Sequence, residues 1–143
     1  MAEYVYNQVQ EVETGQNVLL QDSIPCNRGY VIHRNGSGIL TLRGIVNNPC
    51  AKFARYHVAF NGNIAVPTDG TAGEISLAIA IDGEPIQTSR ARVTPTVVGA
   101  YFNVTSVANI TVPAGCCLTI SIENTSGVTI NVQNANLTVD RTA

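Results

Sequence analysis

The chain has 143 residues, of which 45% are apolar and 13% charged. That length fits one domain, well above the size at which a single core becomes marginal; a charged fraction about half the usual ~25% implies more buried surface than one small monomer covers, at a subunit interface or else in a plain β-sandwich with a Thr/Asn surface. The net charge of -2, with eight Lys and Arg dispersed along the sequence, gives no basic stripe and argues against nucleic acid as a partner.

Residues 1–16 are polar and mixed, with Tyr4, Tyr6, Val9 and Val12 at no clean period. They read as an arm that docks on its own oligomer or on another protein, or as a frayed terminus. The segment has neither a basic start nor a continuous apolar run, so no secretory signal is expected. No stretch approaches the ~20 apolar residues of a membrane span. Residues 17–143 are expected to form the domain.

Within that domain, residues 17–21 (NVLLQ) and 30–34 predict two short strands, and the turn at 35–38 (NGSG) supplies residues suited to φ > 0. Residues 39–46 predict a further strand, closed at 47–50. Residues 52–66 are the longest candidate strand: Tyr56, Val58, Phe60 and Ile64 share one parity, and Arg55, His57, Ala59 and Asn61 the other. The loop at 67–73 (PTDGTAG) is rich in breakers. Asp82-Gly83 is the strongest hairpin signal, between an apolar segment at 74–81 and a polar return at 84–92. Pro95 demotes its surroundings to an edge or loop. Residues 101–112 alternate again, and two terminal strands follow. Eight to ten strands at this spacing predict an all-β, antiparallel two-sheet jelly roll.

The end of the chain carries VPAG at 112–115, LTI at 118–120, NTSG at 124–127 and NLTV at 136–139, and upstream lie YHVAFNGNIAV at 56–66 and ISLAIAIDGEPI at 75–86. Over residues 38–140 these segments resemble the C1q/TNF-like trimeric jelly-roll modules, especially those of bacterial spore-surface collagen-like proteins and phage virion proteins. The resemblance implies a homotrimer whose axis is lined by aromatic and aliphatic side chains from the long strands. Tyr56, Phe60, Tyr101 and Phe102 are the candidates for that interface. Adjacent Tyr101 and Phe102 point to opposite faces, so one of them is expected to leave the subunit's own core.

Chemistry-bearing residues form no convincing site. His33 and His57 have no Asp, Glu or Cys at ligand spacing. Gly36-Ser37-Gly38 is too short for a nucleophile elbow and reads as a turn. Asp82 and Glu84 flank a solvated hairpin tip, where nothing apolar would raise a pKa for acid work. Some related jelly rolls bind calcium through loops that would correspond to Asp69, Asp82 or Glu84, but no clustered Asp/Asn loop is present. Cys26, Cys50, Cys116 and Cys117 lack metal spacing. Cys116 and Cys117 point to opposite faces of a strand; Cys26 and Cys50 lie near turns and could pair, although free thiols are the default for a chain made in a reducing cytoplasm. The Asn-x-Ser/Thr triplets starting at Asn35, Asn103, Asn109, Asn124 and Asn136 are expected by chance in an Asn/Thr-rich β-protein.

The sequence is therefore expected to encode a non-enzymatic structural protein without cofactor or metal: a homotrimeric surface module, a phage virion decoration or fibre-knob protein made in the cytoplasm and attached to a capsid or other virion protein through Tyr4, Tyr6, Val9 and Val12 of the arm. The loops at 67–73 and 90–99 are candidates for its exposed face. A spore or cell-surface adhesin module is the first alternative, although no Gly-X-Y stalk precedes the domain. A lectin that binds surface glycan is the second, weakened by the absence of Trp. Neither nucleic acid nor membrane is expected as a partner.

Overall fold

Strand alternation sets the architecture of the computed structural model, which describes residues 2–24, 30–44, 50, 52–115 and 117–142. Among those residues the strands are β1 (Ala2–Tyr6), β2 (Gln10–Val12), β3 (Asp22–Ile24), β4 (Val31–His33), β5 (Leu40–Arg43), β6 (Phe53–Ala65), β7 (Ile75–Ile81), β8 (Glu84–Pro85), β9 (Ala91–Val93), β10 (Phe102–Pro113), β11 (Cys117–Asn124) and β12 (Ile130–Arg141). The first sheet has the order β10-β6-β12-β1-β3, with β2 also on β12; the second has β4-β5-β11-β7-β8, with β9 also on β7. The two form the antiparallel jelly-roll sandwich expected from the sequence.

Burial in β6 alternates from exposed Phe53 to buried Ile64, so Tyr56, Val58, Phe60 and Ile64 face the second sheet. They meet Leu40, Leu42, Ile79, Ile120 and Ile122 in one core, where each large aliphatic or aromatic side chain contributes about 1.5–3 kcal/mol of burial. Strand β7 is buried on both faces from Ile75 to Ala80. Its edge is open between β9, which pairs residues 75–77, and β8, which pairs 80–81. There the Ile79 amide donates to the Ser89 hydroxyl at 3.0 Å and the Ile79 carbonyl accepts the Ile86 amide at 2.8 Å. Ile86 and Ser89, at the two ends of the 3-10 turn Gln87–Ser89, thus supply the missing ladder bonds.

Residues 17–21 are not the regular strand expected from their sequence, because their backbone bonds go to three different segments. Val18 donates to Ile122, Leu20 to Ser37 and Gln21 to Val5. The segment is a strap with Val18 and Leu20 buried.

The N-terminal residues also depart from expectation. β1 runs beside β12 from Ala2 opposite Val139 to Tyr6 opposite Ala135, and β2 pairs with residues 130–132 of β12. Ala2, Tyr4 and Val12 are buried in this chain's own core, Tyr6 packs against it, and Val9 is exposed. The attachment role expected for Tyr4 and Val12 therefore gives way to core packing, since their inward parity places them between the sheets. Between β1 and β2 their common partner bulges: the β12–β6 register shifts between Gln133 and Asn136. Asn134 takes φ 56° there. Gly62 lies across from the bulge, and a Cβ on it would come 2.9 Å from Cζ of Phe60.

Candidate interaction surfaces

The outer face of the first sheet is made of the residues of β6, β10 and β12 that alternate with core positions. Their cross-strand bonds are mostly between amides and hydroxyls. Asn103 Nδ2 donates to Asn63 Oδ1 at 3.2 Å, the Thr105 hydroxyl donates to Asn61 Oδ1 at 3.3 Å, and His57 Nδ1 lies 3.0 Å from Asn109 Oδ1. Farther across, Asn136 Nδ2 donates to Glu3 Oε2 at 2.8 Å. Opposite the centre of β6, this face presents Val107, Ala59 and Thr138 side by side, with no charge among them.

Among the described residues, strand β10 forms one edge of this sheet and pairs within it with β6. Its twelve residues, FNVTSVANITVP, carry no charge, and the single Pro stands at the end. An edge of this length is normally blunted by lysines, internal prolines or bulges, and β10 has none of them. Tyr101, just before it, and Phe102 and Val107 within it are 37%, 40% and 44% exposed, and Val97 is 62% exposed.

The four aromatic residues expected at a trimer interface thus divide into two pairs. Tyr56 and Phe60 have no exposed surface; their parity assigns them to this subunit's core, which corrects the expectation. Tyr101 and Phe102 are both exposed, rather than one of them, because Phe102 opens β10 at the rim of the sandwich. Val107 and Val97 were not singled out by sequence, since an isolated Val in an alternating segment carries no distinguishing signal.

Two loops join at that rim. The Gly99 amide donates to the Val66 carbonyl at 2.8 Å, and the Gly70 amide turns back to Pro67 at 2.8 Å. Of the candidate loops, 67–73 and the far end of 90–99 are therefore brought together. Arg90 belongs elsewhere: its Nε donates to the Ser76 hydroxyl at 3.1 Å and its Nη2 to the Thr125 carbonyl at 3.3 Å.

The titratable groups serve structure. His33 Nε2 donates to the Ser37 carbonyl at 2.8 Å, and its ring lies 4.7 Å from that of Tyr4. Asp82 Oδ1 accepts both the amide and the hydroxyl of Thr119, at 3.0 and 2.8 Å, and these bonds hold its carboxyl below the ordinary carboxylate range. Glu123 is pushed the other way, first by burial and then by the charge of Glu84. Among the described residues no group of three His, Cys, Asp or Glu side chains could hold a metal ion, so Asp69, Asp82 and Glu84 do not gather into a calcium loop. Cys50 and Cys117 are exposed; Cys26 and Cys116 lie outside the described residues.

No family model and no curated protein matches this chain. Solved structures do. The globular domain of zebrafish complement 1qA protein aligns with a TM-score of 0.57 at 14% identity, over 94% of this chain and 93% of that one. The Eiger TNF of S. frugiperda aligns with a TM-score of 0.65 at 11% identity, over 100% and 92%. Murine APRIL aligns with a TM-score of 0.57 at 9% identity, over 92% and 97%. At these identities the similarity is one of fold, and the fold is the C1q/TNF-like jelly roll.

Proposed function

We propose that this chain is a non-enzymatic display module that works as a homotrimer, carried on a phage virion as a decoration or fibre-knob protein. The observation that carries the assembly is the β10 edge, twelve uncharged residues that include exposed Phe102 and Val107 and follow exposed Tyr101. A second copy of this chain suits such an edge. Burying each aromatic or aliphatic group contributes about 1.5–3 kcal/mol, and the uncharged strip formed by Val107, Ala59 and Thr138 can be dehydrated without stranding an ion. Three copies would then present three pairs of joined rim loops at fixed spacing, and weak contacts made together gain through effective concentration.

Light scattering on the purified chain tests the assembly. A mass of three chains, falling to one in Tyr101→Ser/Phe102→Ser with the thermal transition retained, is the expected result. A monomeric parent chain would end the proposal. Placement on a virion is tested by co-sedimentation of the chain with purified particles from the same lysate.

A further inference from the structure

Two rows of amide and hydroxyl side chains stand on the outer face of the first sheet, between the rim and the strip formed by Val107, Ala59 and Thr138. Nearer the rim, Asn103, Asn63 and Gln133 lie side by side on β10, β6 and β12; next along the strands come Thr105, Asn61 and Asn136. All six have the outward parity: Asn61, Asn103 and Thr105 are exposed, and Asn63, Gln133 and Asn136 are half-buried. Sheet geometry sets neighbours within a row about 4.8 Å apart and the two rows about 7 Å apart. Tyr101, exposed and one residue before β10, shares that parity and stands at the rim end of the same face.

The rows are ordered before any ligand arrives. Asn103 Nδ2 is held by Asn63 Oδ1, the Thr105 hydroxyl by Asn61 Oδ1, and Asn136 Nδ2 by Glu3 Oε2. Each bond fixes one end of an amide and leaves its other end open. Among the described residues, Asn103 Oδ1 and Asn136 Oδ1 accept no bond, and Asn61 Nδ2 and Asn63 Nδ2 donate none. Fixed donors and fixed acceptors therefore stand together on one uncharged surface. No Asp, Glu, Lys or Arg belongs to either row.

We infer that this part of the face binds a neutral glycan, a chain of hexose units without carboxylate or sulfate. A sugar hydroxyl donates and accepts at once, which matches the open ends of neighbouring amides. Side chains already held by their neighbours lose little further freedom on binding. Tyr101 offers an apolar ring with a polar tip, suited to the C–H face of a sugar at the end of the rows. An anionic sugar would bring to this face an ion that no cation in the rows compensates. The rows lie on the rim side of the strip assigned to the contact between copies, so three copies would carry three such faces.

Surface plasmon resonance of the full chain over immobilised mannan, galactan and dextran tests this, with polygalacturonate as the acidic competitor. Saturable binding to at least one of the three, unchanged as salt rises, is the expected result. Asn63→Ala/Asn103→Ala should weaken it about tenfold or more, with the thermal transition and the mass by light scattering as in the parent. Thr105→Val, which keeps the shape and removes the hydroxyl, should weaken it as well and decides the matter if the double variant loses its transition. Asn109→Ala, on the far side of the Val107 strip, should leave binding unchanged. These variants spare Tyr101 and Phe102, so a monomeric parent that still binds glycan would end the assembly reading and keep this one. No binding to any of the three, binding untouched by the variants, or displacement by polygalacturonate at lower sugar concentration than by the neutral glycan itself would overturn the inference. So would a loss of binding that appears only together with a fall in assembled mass, which would give the face to a second copy.

Discussion

The Tyr56 hydroxyl donates to the backbone carbonyl of Arg43 across 2.5 Å, tying the beginning of β6 in one sheet to the end of β5 in the other. With its ring wholly buried, Tyr56 acts inside one subunit. Tyr56→Phe keeps the ring and removes the donor, so unfolding in urea should show a loss of about 1–2 kcal/mol. The assembled mass should be unchanged; a shift in mass would return Tyr56 to the subunit interface.

Asn124 is buried with every polar atom engaged. Its Nδ2 donates to the carbonyls of Val12 and Val128, both at 2.9 Å, and its Oδ1 accepts the Ser126 amide at 2.9 Å. Asn124→Ala leaves these backbone groups unpaired and should destabilise by about 2–4 kcal/mol. Calorimetry of the variant checks this, and a melting temperature equal to the parent's would refute it.

Gly62 faces the β12 bulge, and the Phe60 ring lies where a Cβ would stand. Gly62→Ala forces that ring to move within a filled core, at a cost of about 1–3 kcal/mol. Gly73, beside which no atom lies within 4 Å of an added Cβ, is the matched control: Gly73→Ala should melt close to the parent.

Glu123 and Asp82 should act on stability with opposite signs as pH changes. Burial and Glu84 raise the Glu123 carboxyl, so the folded state holds that proton more tightly than the unfolded chain. The group opposes folding above its folded value, and the opposition disappears as pH falls through that value to below the unfolded one. Asp82 is lowered by Thr119; its stabilisation is present above the unfolded value and lost as pH falls through the folded one. Melting curves should show Glu123→Gln above the parent at neutral pH and Asp82→Asn below it, with both differences closing in acid. A neutral-pH order opposite to this would show that other contacts outweigh these groups.

The long strands were legible because alternation is local. Phe53–Ala65 and Phe102–Pro113 fall within a residue or two of the boundaries drawn from sequence, and Asp82 and Gly83 take the positive φ of 50° and 86° that their hairpin signal requires. The N-terminal segment was illegible for the converse reason. β1 and β2 are short, they are interrupted where β12 bulges, and they are held by residues more than a hundred positions away. Parity in β6 identified the inward face correctly but could not say whether that face met this chain or another, and so Tyr56 and Phe60 were expected at an interface.

Ala2 stands opposite Val139, almost the full chain away, and β12 lies between β6 on one side and β1 with β2 on the other. During synthesis the first sheet therefore has a gap down its middle until β12 is made, with the uncharged β10 already exposed. Pairings of such sequence separation close slowly, and unpaired strand edges invite association with other nascent chains in the interval. The yield of folded protein is thus set by a race between closure of this sheet and aggregation through β10, a race that slower synthesis at lower temperature should favour.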